Sequence, residues 1–316
     1  MKKSTVTIIG AGLMGSGIAT CSSLGGYPTI MLDQKLELAS AGMSKAKQNI
    51  NQLLENQLIN QSQADSAQVL LQAETDLESA IKDSFLIIEA VTESLSLKQE
   101  LFTRLDSLAH PDVIITSNTS GLRITDIAKY TNHPERTVTT HFWFPAHLVP
   151  LVEVVIGEKT DESVALRIHK LLLDWNKAPV IVKKDLPGQL ANRILQAIIR
   201  EAINIVEMGL ATPEDVDTAI KMGMGIRFPA WGPLEHIDGV GLDLALTVQR
   251  GVLPGLDNNP IPSQYLQGLV DQDRLGFKTG RGFYDWEVKD MKELSTRRDR
   301  FIIEALRILK TMDLSG

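Results

Sequence analysis

At 316 residues, with 43% hydrophobic and 22% charged positions, the chain is long enough for two domains and an ordinary globular core. Its net charge of −7, with no basic block, excludes a nucleic-acid partner, and its single cysteine, Cys21, excludes a disulfide framework. No stretch is apolar and long enough to cross a membrane. The start, Met1-Lys2-Lys3, runs into a segment with four glycines and no Ala-x-Ala site, a poor export signal, so the chain reads as cytoplasmic.

The first thirty-three residues predict a strand, a glycine turn, a helix and a second strand with an acid at its tip. Val6-Thr7-Ile8-Ile9 is the first apolar run, and Gly10-Ala11-Gly12-Leu13-Met14-Gly15 follows at once. A helical pattern continues through Ile18, Ala19 and Leu24. After Gly25-Gly26-Tyr27-Pro28, the run Thr29-Ile30-Met31-Leu32 ends in Asp33. In a dinucleotide-binding unit Gly10 permits the tight turn, Gly12 lets the backbone approach a pyrophosphate, and Gly15 lets helix and strand pack closely. Leu13 and Met14 stand in the first turn, whose free N–H groups and positive dipole end suit phosphate. Asp33, roughly 20 residues on, can accept hydrogen bonds from the adenosine ribose hydroxyls and would repel a 2′-phosphate, which points to NAD rather than NADP. Lys35 nearby is either a solvated surface residue or a 2′-phosphate partner. The same pattern with no ligand would be a plain strand–turn–helix, but GxGxxG between strand and helix, with the acid in place, makes the cofactor reading much the stronger.

Residues 36 to 76 carry apolar side chains at helical spacing (Leu36, Ala46, Ile50, Leu53) and are read as a helical arm or helix pair. Phe85-Leu86-Ile87-Ile88, Val113-Ile114-Ile115-Thr116, Val138-Thr139-Thr140-His141, Leu151-Val152-Glu153-Val154-Val155 and Val180-Ile181-Val182 read as strands. Helical patterns over 97–108, 124–130 and 164–175 separate most of them. Strands alternating with helices predict a doubly wound, mostly parallel Rossmann-type sheet. After Lys184 the strand signal almost vanishes. We therefore expect a nucleotide-binding domain over 1–184 and an all-α substrate and dimerisation domain over 185–316. Thr212-Pro213-Glu214-Asp215 is a helix start, with Thr212 as cap and Pro213 in first position. Arg297 to Met312 reads as a final amphipathic helix, its apolar face turned to core or to an oligomer partner.

A bound nicotinamide implies hydride transfer, and an alcohol being oxidised needs a base for its proton. His141 ends a strand on the carboxyl edge, where open α/β sheets bind ligands. Glu153 follows on the next strand, where it can hold the other ring nitrogen. The competing reading is a structural histidine at a strand end.

These segments together resemble the 3-hydroxyacyl-CoA dehydrogenase family over nearly the whole chain. The resemblance is carried by Gly10 to Ala19, Ser117-Asn118-Thr119-Ser120, His141-Phe142-Trp143-Phe144-Pro145, Leu151 to Val155, Asp185-Leu186-Pro187-Gly188 with Asn192-Arg193, Gly232-Pro233-Leu234-Glu235, and Lys278-Thr279-Gly280-Arg281-Gly282-Phe283-Tyr284. It implies that His141 is the general base, Glu153 its orienting acid, and Ser120 and Asn192 the polar pair near the reacting carbon. It also implies NAD contacts at Asp33, Glu93, Lys98 and Lys278, no metal, a role in fatty acid metabolism, and a homodimer through the helical domain. From the residues alone, Asn192 reads as a helix-interior Asn and Glu93 and Lys98 as a solvated helix start.

The expected activity is NAD-dependent interconversion of an L-3-hydroxyacyl-CoA and a 3-oxoacyl-CoA. Three departures open an alternative. Phe144 stands where the family's His-Phe-Phe-Asn-Pro has an amide. The arm stretch from Gln48 to Gln57 has no Lys or Arg for a CoA phosphate, although Lys45 and Lys47 precede it. Arg227, before Gly232-Pro233, is similar to relatives that oxidise free hydroxy acids such as carnitine or gulonate. It is either a carboxylate grip in the substrate site, for which Phe144 is also a candidate, or a surface ion pair. The alternative is thus the same chemistry on a free hydroxy acid or hydroxymethyl compound. A reading from another class is a nucleotide-bound structural protein without turnover.

Overall fold

The computed structural model describes residues 5–309 and residue 311. The Met1-Lys2-Lys3 reading and the expected helix end at Met312 lie outside them. The sheet has eight strands: β1 (Thr5–Ile9), β2 (Thr29–Leu32), β3 (Leu71–Glu74), β4 (Ser84–Glu89), β5 (Ile114–Ser117), β6 (Thr137–Phe142), β7 (Leu151–Val155) and β8 (Ala178–Val182). Their order is β3-β2-β1-β4-β5-β6-β7-β8. Every pairing is parallel except β6 with β7. Strand order reverses between β1 and β4, and the crevice at such a switch point is where doubly wound sheets take a dinucleotide.

Helices α1 (Leu13–Leu24), α2 (Leu36–Glu55), α3 (Gln61–Val69), α4 (Leu77–Ile81), α5 (Leu95–Leu108), α6 (Ile124–Ile127) and α7 (Glu162–Asp174) cover the sheet. Strands buried on both faces become continuous apolar runs. Val6, Ile8, Leu86 and Ile88 join one core cluster with Ile18 and Ala19 of α1. Their alternates Ile9 and Ile87 join a second with Phe102, Leu105 and Ile115.

The expectation of helix from 36 to 76 needs correction. Helix stops at Val69, and Leu71–Glu74 is the edge strand β3, paired with β2. Only Leu71 of that strand is buried, so its apolar signal is too weak to read. Nor do α2 and α3 stand out as an arm: Ala46, Ile50, Ala64 and Ala67 are buried in the same cluster as Ile18.

The chain divides into two compact units, residues 1–193 and 194–316. The sequence texture changes earlier, at Lys184, but hydrogen bonds tie 185–191 to the first unit. Thr125 donates to Asp185, Gln189 donates to the Thr119 carbonyl, and the Leu190 and Ala191 N–H groups donate to Glu153. Helix α8 (Ala191–Glu207) runs across the division. The second unit is helical: α9 (Pro213–Ala219), a π-turn over Ile220–Gly225, α10 (Pro233–Val240), α11 (Leu242–Val252), α12 (Gln264–Asp271) and α13 (Met291–Leu309). Thr212 caps α9 through the Asp215 N–H, with Pro213 in first position, as expected. The last helix begins at Met291, ahead of the expected Arg297. Among the described residues no helix is long and apolar enough to cross a membrane.

Candidate active site

The dinucleotide end forms where β1 turns into α1. Gly10 has φ +101°, a conformation L side chains avoid, and a Cβ there would meet the Ala90 carbonyl at 2.6 Å. A Cβ on Gly15 would lie 1.8 Å from the Gly10 carbonyl. Gly12 differs, because a Cβ there would meet nothing within 4 Å. Gly12 also caps α1 with no side-chain acceptor, and the first turn carries no acid. The start of α1 therefore has no side-chain cap and open space at Gly12, which fits a bound pyrophosphate. Asp33, at the tip of β2, accepts from the Ala11 N–H and the Gln34 N–H, each at 2.8 Å. That fixes its carboxylate beside the glycine turn. The residues present fit NAD.

A second polar cluster sits at the carboxyl ends of β4 and β5. Glu89, which no sequence signal marked as functional, is closed to solvent. It takes Lys98 Nζ at 2.6 Å, Ser117 Oγ at 2.6 Å and the Val91 N–H at 2.7 Å. Lys98, only 1% exposed, reaches Glu93 as well, at 3.3 Å. Glu93 also accepts from Thr119 Oγ1 and the Gly121 N–H. Burial pushes the Glu93 carboxyl up, but the bonds from Thr119, Lys98 and Gly121 outweigh it and hold the group below the usual range. Glu93 is 43% exposed at its side chain. The solvated helix start read from these residues alone is instead a buried Lys98–Glu89 clamp that carries one accessible carboxylate, Glu93.

His141 and Glu153 stand opposite one another in the antiparallel β6–β7 register. Imidazole Nδ1 lies 2.7 Å from Glu153 Oε2. Trp143 Nε1 donates to the same oxygen at 3.0 Å, and the Leu190 and Ala191 N–H groups donate to Oε1 at 2.9 and 2.8 Å. Glu153 is fully buried. Burial pushes its carboxyl up, yet the donors from His141, Ala191, Trp143 and Leu190 prevail and hold it at about 2. An ionised Glu153 makes Nδ1 the protonated nitrogen and leaves Nε2 with its lone pair. Asn118, at the end of β5, accepts the Phe142 N–H at 2.8 Å and so fixes the strand end.

Asn192 lies in the first turn of α8 rather than in a helix interior, and its Nδ2 donates to the Ser120 carbonyl at 3.1 Å. Ser120 is on the exposed loop after β5. Phe144 is 48% exposed, directly after Trp143. Lys278 and Arg227 belong to the second unit. Arg227 is exposed after the π-turn, with Nε donating to the Gly223 carbonyl at 3.2 Å. Lys278 lines an apolar cavity of about 640 Å³ with Phe277, Phe283 and Trp286. Sequence reading missed Glu89, Thr119 and Trp143. Glu89 only closes the apolar run 85–88, and Trp143 reads as a packing aromatic beside His141, so neither carried a functional signal by itself.

Residues 5–186 match the model of the 3-hydroxyacyl-CoA dehydrogenase NAD binding domain, and residues 188–286 match the C-terminal domain of the same family. A probable 3-hydroxybutyryl-CoA dehydrogenase of Bacillus subtilis is 37% identical, over 92% of this chain and 99% of its own. A 5-formyl-3-hydroxy-2-methylpyridine 4-carboxylate 5-dehydrogenase of Mesorhizobium japonicum is 31% identical, over 96% of this chain and 98% of its own. Among solved structures, a dehydrogenase of that pyridine compound, described as an NAD-dependent dismutase, superposes with TM-score 0.91 at 31% identity, covering 98% of this chain and all of its own. A (S)-3-hydroxybutyryl-CoA dehydrogenase from Ralstonia eutropha reaches 0.75 at 32% identity, covering 90% of this chain and 99% of its own. With both of its domains matched, the chain belongs to the 3-hydroxyacyl-CoA dehydrogenase family, NAD-dependent oxidoreductases that act on CH–OH groups.

Proposed function

We propose that His141 is the general base for oxidation of a substrate hydroxyl, and the observation that carries this is the 2.7 Å bond from its Nδ1 to Glu153. Nε2 takes the hydroxyl proton, and the buried anionic Glu153 stabilises the imidazolium that forms. Bound NAD supplies the hydride acceptor. Asp33, Gly10, Gly12, Gly15 and the N–H groups of Leu13 and Met14 hold its adenosine and pyrophosphate. Glu93, steadied by Lys98, would contact it as well, and the family resemblance gives Lys278 a contact with NAD. Ser120 and Asn192 orient the reacting carbon. The family's activity, interconversion of an L-3-hydroxyacyl-CoA and a 3-oxoacyl-CoA, is the first reading. The protein is a homodimer through its helical unit, where apolar side chains crowd α11.

A second reading is favoured by three observations. Residues 48–81, which include the expected CoA-binding stretch, contain no Lys or Arg. Phe144 puts an apolar ring where the family carries an amide. The TM-score of 0.91 is to a dehydrogenase of a free pyridine carboxylate. On this reading the substrate is a compact hydroxy or hydroxymethyl carboxylate, with Arg227 as its bidentate partner. NAD reduction by purified protein decides between them, with L-3-hydroxybutyryl-CoA run beside free L-3-hydroxybutyrate, carnitine, gulonate and a hydroxymethylpyridine carboxylate. Turnover with the thioester alone supports the first reading. Turnover with a free acid alone, lost in Arg227→Ala, supports the second. NAD binding with no turnover on any of them contradicts both.

A further inference from the structure

We propose that Trp143 is a positioning residue that sets the pH range over which His141 works as a base, an inference that rests on the assignment of His141 above. The indole Nε1–H donates to Glu153 Oε2 at 3.0 Å, the same oxygen that takes His141 Nδ1 at 2.7 Å. The other oxygen is occupied by the Leu190 and Ala191 N–H groups. Four donors fill a carboxylate that accepts about four. The indole ring lies 5.5 Å from the imidazole, tilted by 51°. Trp143 follows directly on β6, whose last residue is fixed by Asn118, so the indole is delivered to Glu153 from a held strand end.

The consequence is electrostatic. Each donor neutralises part of the carboxylate charge. The more of that charge the indole takes, the less remains to hold a proton on His141. A phenyl ring at 143 would fill much of the same space and leave Oε2 to His141 alone. The imidazolium would then be held more strongly, and the base would stay protonated to higher pH. The groups around the pair leave few other candidates for this tuning. From β7 the titratable partner of His141 is Glu153. The 190–191 segment presents only backbone N–H groups to Glu153, and β5 places the uncharged Thr116 against Thr140 of β6.

The test is Trp143→Phe, read in two ways. The first is the pH dependence of kcat/KM for NAD reduction, with whichever substrate turns over. The second is the NMR titration of the His141 ring in purified protein without substrate, assigned by its loss in His141→Gln. The proposal predicts that the acid limb and the ring's titration midpoint both move up by roughly half a pH unit, with plateau turnover kept within about threefold. A general packing role for the indole would lower activity or stability and leave both midpoints in place. Midpoints unchanged from the wild type overturn the proposal. If Trp143→Phe fails to fold, 3-benzothienylalanine at position 143 replaces the N–H with sulfur in a ring of the same shape, and the same two midpoints decide. A ring midpoint that moves while the acid limb stays put overturns the base assignment and leaves the coupling through Glu153 standing.

Discussion

Lys98 Nζ lies 2.6 Å from Glu89 Oε1, and neither side chain reaches solvent. The same ammonium extends to Glu93, at the exposed end of the cluster. Truncating Lys98 leaves Glu89 buried without a cation, which costs about 3–5 kcal/mol. Lys98→Met should therefore lose stability on that scale in urea unfolding. The double variant Lys98→Met with Glu89→Leu should recover much of it. NAD titration should show weaker binding in both, because Glu93 loses its cationic partner in each. A double variant with wild-type NAD affinity would remove Lys98 and Glu93 from the cofactor site.

Two glycines of the turn should behave oppositely. A Cβ on Gly15 runs into the Gly10 carbonyl, so Gly15→Ala should lower the melting temperature and reduce soluble yield. A Cβ on Gly12 meets no protein atom within 4 Å, so Gly12→Ala should melt within a few degrees of the wild type. Its NAD affinity should nevertheless fall by about tenfold or more, since the methyl would occupy the place of the pyrophosphate. Calorimetry and NAD titration of the two variants separate a packing glycine from a ligand-facing one.

Glu153 links acid to stability. Its folded carboxyl is held at about 2, below the ordinary 4.5. A depressed carboxyl stabilises the fold fully above the unfolded value and loses that contribution as pH falls through the folded one. The difference amounts to about 3 kcal/mol near neutrality. In urea unfolding, the stability gap between wild type and Glu153→Gln should narrow by about 1 kcal/mol between roughly pH 7 and pH 3.5. A gap that stays constant over that range would mean the carboxyl is not held by its donors.

In the second unit, Leu242, Leu244, Leu246, Val248 and Val252 are each half exposed or more, along a single helix. Exposed apolar side chains this dense on one helix suit a protein contact. Sedimentation should give a dimer mass for the wild type and a monomer mass for Leu246→Asp. A monomeric wild type at micromolar concentration would contradict the proposed homodimer.

The sheet was legible because its strands are buried on both faces and write themselves as apolar runs, as 85–88 does in β4. The register of His141 against Glu153 was legible only as a possibility, since strand order does not follow from a run of valines. Strand β3 was invisible because one buried leucine does not make a pattern. The Glu89–Lys98 clamp was hidden for another reason: its partners are brought together by the β4–α5 turn, and neither is unusual by itself. Asn192 looked out of place in a helix because the helix start was not visible; α8 begins one residue earlier. Trp143 escaped notice because an aromatic at a strand end reads as packing, and its N–H matters only once Glu153 is found within 3.0 Å.

Single-turnover NAD reduction with His141→Gln, on the substrate that the panel identifies, tests whether His141 takes the proton. Glutamine keeps polarity and approximate size but supplies no base. The rate should fall by about 100-fold or more, with NAD affinity unchanged. A variant that reduces NAD at the wild-type rate would show that His141 does not take the proton.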